Sequence, residues 1–224
     1  MKNLFRYERK FIVNNFTSPE IENLLRISSF NFKKNFLQRK VNSIYFDDKN
    51  IDSVLENLDG NNFKTKIRLR WYGDKKIINF PILEFKKKNG YLNFKKIFKL
   101  YDFKSIKFTK KNIHLILNKL IKKFDFLSNK IAISSTHYKR LYFISSKENI
   151  RATLDSDINY LNVQNNSNLN LNRYSKSMIL EFKYPNDKDD YVRKSLKNIS
   201  FRVSKNSKYV NSLIEYPFRI IWIY

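Results

Sequence analysis

Residues 63–72 read Phe63-Lys64-Thr65-Lys66-Ile67-Arg68-Leu69-Arg70-Trp71-Tyr72. Side chains on a β-strand alternate between its two faces, so Lys66, Arg68 and Arg70 share one face while Ile67, Leu69 and Trp71 share the other. The same two-residue period recurs along the chain. Arg6, Glu8 and Lys10 line up in 4–13, and Glu84 and Lys86 stand opposite Leu83 and Phe85 in 80–88. Tyr138 and Arg140 oppose Leu141 and Phe143 in 134–144; Arg151, Thr153 and Asp155 oppose Ala152 and Leu154 in 149–156. Glu181 and Lys183 oppose Leu180 and Phe182 in 177–184. Six strands therefore carry a charged row backed by an apolar row. Segments 40–46 and 91–99 also read as strands, and Asn89-Gly90 between two apolar-patterned runs is a strong hairpin signal.

Helices are fewer. Thr17-Ser18-Pro19-Glu20 combines a hydroxyl cap, a first-turn Pro and a Glu three residues on, with Ile21, Leu24, Leu25 and Ser28 facing inward. Residues 49–58 predict a short helix, and 187–196 another. Residues 110–124 predict the clearest one, with Ile113, Ile116, Leu117, Leu120, Ile121 and Phe124 in one stripe. The Asn-rich stretch 159–173 reads as a loop inside the domain. The chain is thus expected to form one β-rich α+β domain over 1–212, with an apolar tail at 213–224 packing on it.

Composition narrows the chemistry. The chain has 224 residues, no Cys, two His and three Gly. Thiol catalysis, disulfides and Cys-based metal sites are excluded, and a His-based metal centre or Ser-His-Asp triad is disfavoured. Three separated glycines cannot form GxGxxG or a P-loop, so any phosphate must be held by side chains. The net charge is +25, but Lys outnumbers Arg and part of the excess reflects composition and no particular ligand. No segment reaches the ~18 apolar residues of a membrane span, and the N-terminus lacks a signal-peptide core. A cytoplasmic protein is expected, with membrane contact at most peripheral.

Position makes the charge informative. The named rows hold nine cations and four carboxylates, rich in Arg, which matches phosphate oxygens with a planar fork. An ordinary sheet with one wet face produces the same alternation. If the sheet closes into a barrel with these rows inward, the lumen is a basic tunnel. A chain of phosphates would offset the cost of its charges, and a carboxylate-held Mg²⁺ or Mn²⁺ would neutralise more of that ligand. A nucleic-acid duplex would not enter it, and specific nucleic-acid binding is not expected.

Read in order, Arg6-Tyr7-Glu8-Arg9-Lys10-Phe11, Val41-Asn42-Ser43-Ile44-Tyr45-Phe46-Asp47 and Lys66-Ile67-Arg68-Leu69-Arg70-Trp71-Tyr72-Gly73 resemble the VTC domain. That is the catalytic domain of polyphosphate polymerases, related to the triphosphate tunnel (CYTH) enzymes. Leu83-Glu84-Phe85-Lys86, Tyr138-Lys139-Arg140, Arg151-Ala152-Thr153-Leu154-Asp155, Leu180-Glu181-Phe182-Lys183 and Ser207-Lys208-Tyr209 extend the resemblance nearly end to end. It implies an antiparallel β-barrel tunnel with a few helices around its openings. It further implies ATP and polyphosphate as partners and a Mn²⁺ or Mg²⁺ ion as cofactor.

By position, Arg68, Arg70, Lys86 and Lys208 would be catalytic. Lys10, Lys66, Lys96, Tyr138, Arg140, Arg151, Lys183 and Ser207 would bind phosphate; Lys95 competes with Lys96, and Ser204-Lys205 with Ser207-Lys208. Glu181 would hold the metal, with Glu8 in a second tier. Arg6 stands where the superfamily has a further carboxylate, which points to the polymerase branch. The alternatives are a tunnel triphosphatase using water as acceptor, a non-catalytic polyphosphate- or nucleotide-binding module, and a generic RNA-binding protein.

Overall fold

The computed structural model describes residues 6–89, 92–146, 149–164, 173–196 and 201–214. The strands are β1 Arg6–Val13, β2 Phe32–Asp47, β3 Phe63–Tyr72, β4 Ile77–Ile78, β5 Ile82–Asn89, β6 Leu92–Lys99, β7 Ile106–Lys107, β8 Ile131–Ser145, β9 Arg151–Asn162, β10 Arg173–Ser175 and β11 Met178–Pro185. The helices are α1 Ser18–Ile27, α2 Asp52–Leu58, α3 Lys110–Ile121, α4 Asp189–Leu196 and α5 Lys208–Ile214. The fold is α+β with a mainly antiparallel sheet, in the order β1-β11-β9-β8-β2-β3-β5-β6, with β10 pairing β9.

The chain forms two compact units, each assembled from separate segments. The first comprises 1–39, 138–158 and 175–206. In it β1 pairs β11 and β11 pairs β9, each antiparallel. The apolar rows of these strands meet Ile21 and Leu25 of α1 and Val192 and Leu196 of α4 in one core, where the Phe11 ring meets Phe182 edge-on at 5.8 Å. Helix α1 starts as the sequence predicts: Glu20 accepts from the Thr17 backbone N–H at 2.6 Å and from its hydroxyl at 2.8 Å.

The second unit comprises 40–137, 159–174 and 207–224. Here β2, β3, β5 and β6 form a continuous antiparallel ladder. Its apolar face, with Ile67, Leu69, Trp71 and Leu83, packs on the Ile113, Ile116, Leu117 and Leu120 stripe of α3. The β5–β6 ladder runs as far as the Asn89↔Leu92 pair, and Gly90 of the expected hairpin signal lies outside the described residues.

Three expectations change. The expected barrel closure is not made among the described residues: the strand order ends at β1 on one side and β6 on the other. The outer edge of β1 is instead met by the 203–204 segment, through a Phe11↔Val203 bridge and a Ser204 N–H donating to the Lys10 carbonyl at 2.8 Å. Residues 159–162, expected in a loop, continue β9. No helix is expected near 207–214, yet Lys208–Ile214 form α5, burying Tyr209, Val210 and Leu213; 215–224, most of the expected 213–224 tail, lie outside the described residues.

Candidate functional site

In the second unit the charged face of the ladder is built by register. Arg68 stands directly opposite Tyr45 on β2 and Glu84 on β5, so all three project to the same side. Arg68 donates through Nε to Glu84 Oε2 at 2.7 Å, with its Nη2 at 2.5 Å. Arg70 Nη1 and Lys95 Nζ lie 3.6 and 3.8 Å from Glu84 Oε1. Burial pushes the Glu84 carboxyl up, but Arg68, Arg70 and Lys95 outweigh it and hold it at about 2. One buried carboxylate thus gathers three cations.

One pair of residues further along, Lys66, Lys86 and Lys95 stand directly opposite one another on β3, β5 and β6. Like charges in this relation destabilise a sheet. The Lys66 ammonium also sits 4.7 Å above the Tyr45 ring, which stacks on Tyr209 with centroids 4.9 Å apart. The register decides between the two candidate lysines of β6. Lys95 shares the face of Glu84, whereas Lys96 stands opposite Phe85 on the apolar side, its ammonium over the Phe94 ring at 5.3 Å.

Tyr45 carries no signal of its role in the sequence, because its neighbours come from other strands. It is fully buried. Burial pushes its phenol up, yet the charges of Lys66, Arg68 and Arg70 bring it down to about 7. Its neighbour Tyr209 moves the other way, pushed up by burial and by the Asp47 carboxylate to which it donates at 2.6 Å. Tyr45 is therefore expected to ionise near neutrality. Absorbance at 295 nm should show a single-phenol step near pH 7 that is missing in Tyr45→Phe. Added tripolyphosphate should move that step to higher pH by offsetting the cations. No such step in the wild type would show that the cations do not act on Tyr45.

In the first unit the row is a checkerboard. Register places Glu8 opposite Lys183 and Lys10 opposite Glu181. Lys10 Nζ lies 2.7 Å from Glu8 Oε1 and donates to the Asn206 carbonyl at 3.0 Å. Lys183 Nζ lies 2.5 Å from Glu181 Oε1 and 3.4 Å from Glu8 Oε2. Arg140 is clamped by the fully buried Asp155, Nε to Oδ1 at 2.5 Å and Nη2 to Oδ2 at 2.7 Å, and its guanidinium lies 5.3 Å over the Tyr138 ring. Burial disfavours the Arg140 charge, but Asp155, Tyr138 and Glu181 outweigh that and keep it firmly protonated. Arg151 is exposed opposite Lys183. The two rows differ in balance: the residues named here are four cations to three carboxylates, whereas those named around Glu84 are five cations to one carboxylate, with Lys64, Lys88 and Lys99 on the same face by register.

The remaining predicted residues open α5. The Ser207 oxygen accepts from the Val210 N–H at 3.5 Å, and Lys208 begins the helix. The rival Ser204 lies in the other unit, beside β1. The Arg6 side chain falls outside the described residues. His137 is buried and hydrogen-bonded to Asn42; burial and the Lys75 charge lower it to about 3, so it stays neutral. Among the described residues no group of three or more His, Cys, Asp or Glu is arranged to hold a metal ion, and no helix is long and apolar enough to cross a membrane, which says nothing of strands.

Rows of alternating Arg, Lys and Glu on an antiparallel sheet agree with what a family comparison finds: the VTC domain model matches residues 5–215. The chain belongs to the VTC domain family. Solved structures share its fold. The PH1012 protein of Pyrococcus horikoshii OT3 matches with a TM-score of 0.53 at 11% identity, over 92% of this chain and 98% of that one. A conserved hypothetical protein of Pyrococcus furiosus matches with a TM-score of 0.50 at 12% identity, over 92% and 99%. No curated protein matches the chain.

Proposed function

We propose that this VTC-domain protein is a polyphosphate polymerase, transferring the terminal phosphoryl group of ATP to orthophosphate or a growing polyphosphate chain. The observation that supports this most is the file of Lys66, Lys86 and Lys95 directly across three strands, with Arg68 and Arg70 beside it. Such a file lowers the stability of the empty sheet and is relieved by an anion with many oxygens. ATP and polyphosphate are the proposed partners.

In the transfer, an acceptor phosphate oxygen attacks the γ-phosphorus, the β–γ bridging P–O bond breaks, and ADP leaves with that oxygen. No side chain need be covalently modified. Arg68 and Arg70 would hold the reacting phosphates by paired N–H donors and fix donor and acceptor in line. Lys66, Lys86 and Lys95 would spread the charge that builds on the equatorial and leaving oxygens. In the same unit, Ser207 and Lys208 at the start of α5 are further proposed phosphate ligands; in the first unit, taken by itself, Lys10, Tyr138, Arg140 and Arg151 are proposed to bind phosphate.

The family implies a Mn²⁺ or Mg²⁺ ion, whose chemistry when bound would be to neutralise phosphate charge. The carboxylates expected to hold it, Glu181 and Glu8, are both engaged by the Lys183 ammonium, so as they stand they do not fit a resident divalent ion. The steps above rest on the protein's own cations.

The test is to incubate the purified protein with ATP, orthophosphate and Mn²⁺ and to resolve products by chain length. Phosphate chains accumulating with stoichiometric ADP are expected. Orthophosphate as the only product would instead assign a triphosphatase, and tight tripolyphosphate binding without turnover a binding module.

A further inference from the structure

In the Glu8–Lys10–Glu181–Lys183 checkerboard, ammonium groups already hold the carboxylates that a divalent ion would need. The register of β1 on β11 fixes the arrangement, since Glu8 faces Lys183 and Lys10 faces Glu181 across the ladder. Lys183 Nζ contacts one oxygen of each carboxylate, at 2.5 and 3.4 Å, and so occupies the place between them where a shared cation would sit. Lys10 Nζ takes the second oxygen of Glu8 at 2.7 Å. Two carboxylates balance two ammonium groups, and Arg140 stands near enough to act on Lys183.

Adding a bare dication to this set would place two more positive charges on a locally neutral cluster. A small hard cation also needs about six oxygen ligands, and phosphate-handling sites supply most of them from water and substrate. The pair alone supplies too few. A phosphate chain changes both terms: it brings the missing oxygens, and it offers Lys183 a second anionic partner. The Lys183 side chain is 46% exposed and can swing, whereas Glu181 is buried at 9%.

We propose that Lys183 is the resident cation of the Glu8–Glu181 pair, and that a divalent ion joins these carboxylates only together with a phosphate chain. Lys183 is therefore a positioning residue that keeps the site metal-free until substrate arrives. This rests on the reading of the site as phosphate-binding, but its test needs no turnover, so the polymerase assignment can fail while this stands.

The experiment follows Mn²⁺ by electron paramagnetic resonance, titrating the ion into full-length protein in the absence of any phosphate compound. Wild type should leave the free-ion signal undiminished. Lys183→Met should bind at least about tenfold more tightly than wild type, and Glu181→Gln added to it should abolish the gain. Lys183→Arg, which keeps the charge, should behave as wild type and serves if the Met variant does not fold. In wild type, tripolyphosphate followed by calorimetry should bind in EDTA and bind more tightly with Mn²⁺ present. Saturable Mn²⁺ binding to wild type without phosphate would overturn the proposal. So would a folded Lys183→Met with no gain, or tripolyphosphate affinity that does not change with Mn²⁺.

Discussion

Arg68→Met is expected to lower tripolyphosphate affinity by about 100-fold or more, the loss of two charge-assisted hydrogen bonds worth roughly 3 kcal/mol. It should also destabilise the fold, for a separate reason. Arg68 makes the two short contacts to Glu84, and its removal leaves a carboxylate only 7% exposed with Arg70 at 3.6 Å and Lys95 at 3.8 Å. Breaking a buried pair from one side costs on the order of 3–5 kcal/mol, and the two remaining cations place this case at the lower end. Arg68→Met combined with Glu84→Gln should recover most of the stability without recovering the affinity. Urea denaturation and calorimetry separate the two effects. If the single variant binds tripolyphosphate as wild type does, the β3 row is not the anion site.

The same pair sets an acid limit. Glu84 is held below its ordinary value of 4.5, at about 2, so the folded state binds a proton here less readily than the unfolded chain. Its stabilising effect is complete above about pH 4.5 and is lost as pH falls towards 2. The difference corresponds to about 3 kcal/mol over that window. Glu84→Gln should flatten the acid limb of stability against pH, at a lower plateau near neutrality.

How much of this was legible in the sequence depends on which interactions are local. The alternation in 63–72 and 177–184 marks the strands and their charged faces, because face assignment needs only a period of two. The first half of β2, 32–39, escapes such a reading: Lys33 to Arg39 are all exposed, so no apolar row marks them. Asn159 and Asn162 read as loop, yet burial of Tyr160 and Leu161 keeps β9 going. Helix α5 is only seven residues long, too short for a periodic signal. For the site, the row members were visible but their pairing was not. That Glu84 belongs to Arg68, Asp155 to Arg140 and Lys95 to the charged face are facts of register between strands, and one strand's sequence does not contain them. Closure failed as an expectation for a related reason, since alternation says nothing about what meets the outer edge of β1.

Asp47 shows how a residue outside the rows can govern one of them. Its side chain is fully buried at the end of β2. Oδ1 accepts from the Asp48 N–H at 3.0 Å and from the Ser53 N–H and hydroxyl at 3.3 and 2.8 Å, while Oδ2 accepts from the Tyr209 hydroxyl at 2.6 Å. One carboxylate therefore ties the start of α2 and the first turn of α5 to β2. Through Tyr209 it also fixes the ring that stacks on Tyr45 beneath the Lys66 ammonium. Asp47→Ala would strand two N–H groups and two hydroxyls at once, and a loss of about 4 kcal/mol or more is expected. Tyr209→Phe removes only the α5 bond and should cost about 1–2 kcal/mol; Ser53→Ala should cost a similar amount through α2. The two variants should differ in their effect on the anion site. If α5 is what holds Tyr45 and Lys66 in place, Tyr209→Phe should weaken tripolyphosphate binding and shift the Tyr45 ionisation step, while Ser53→Ala leaves both unchanged. Equal effects of the two variants on binding would mean that Asp47 serves stability alone.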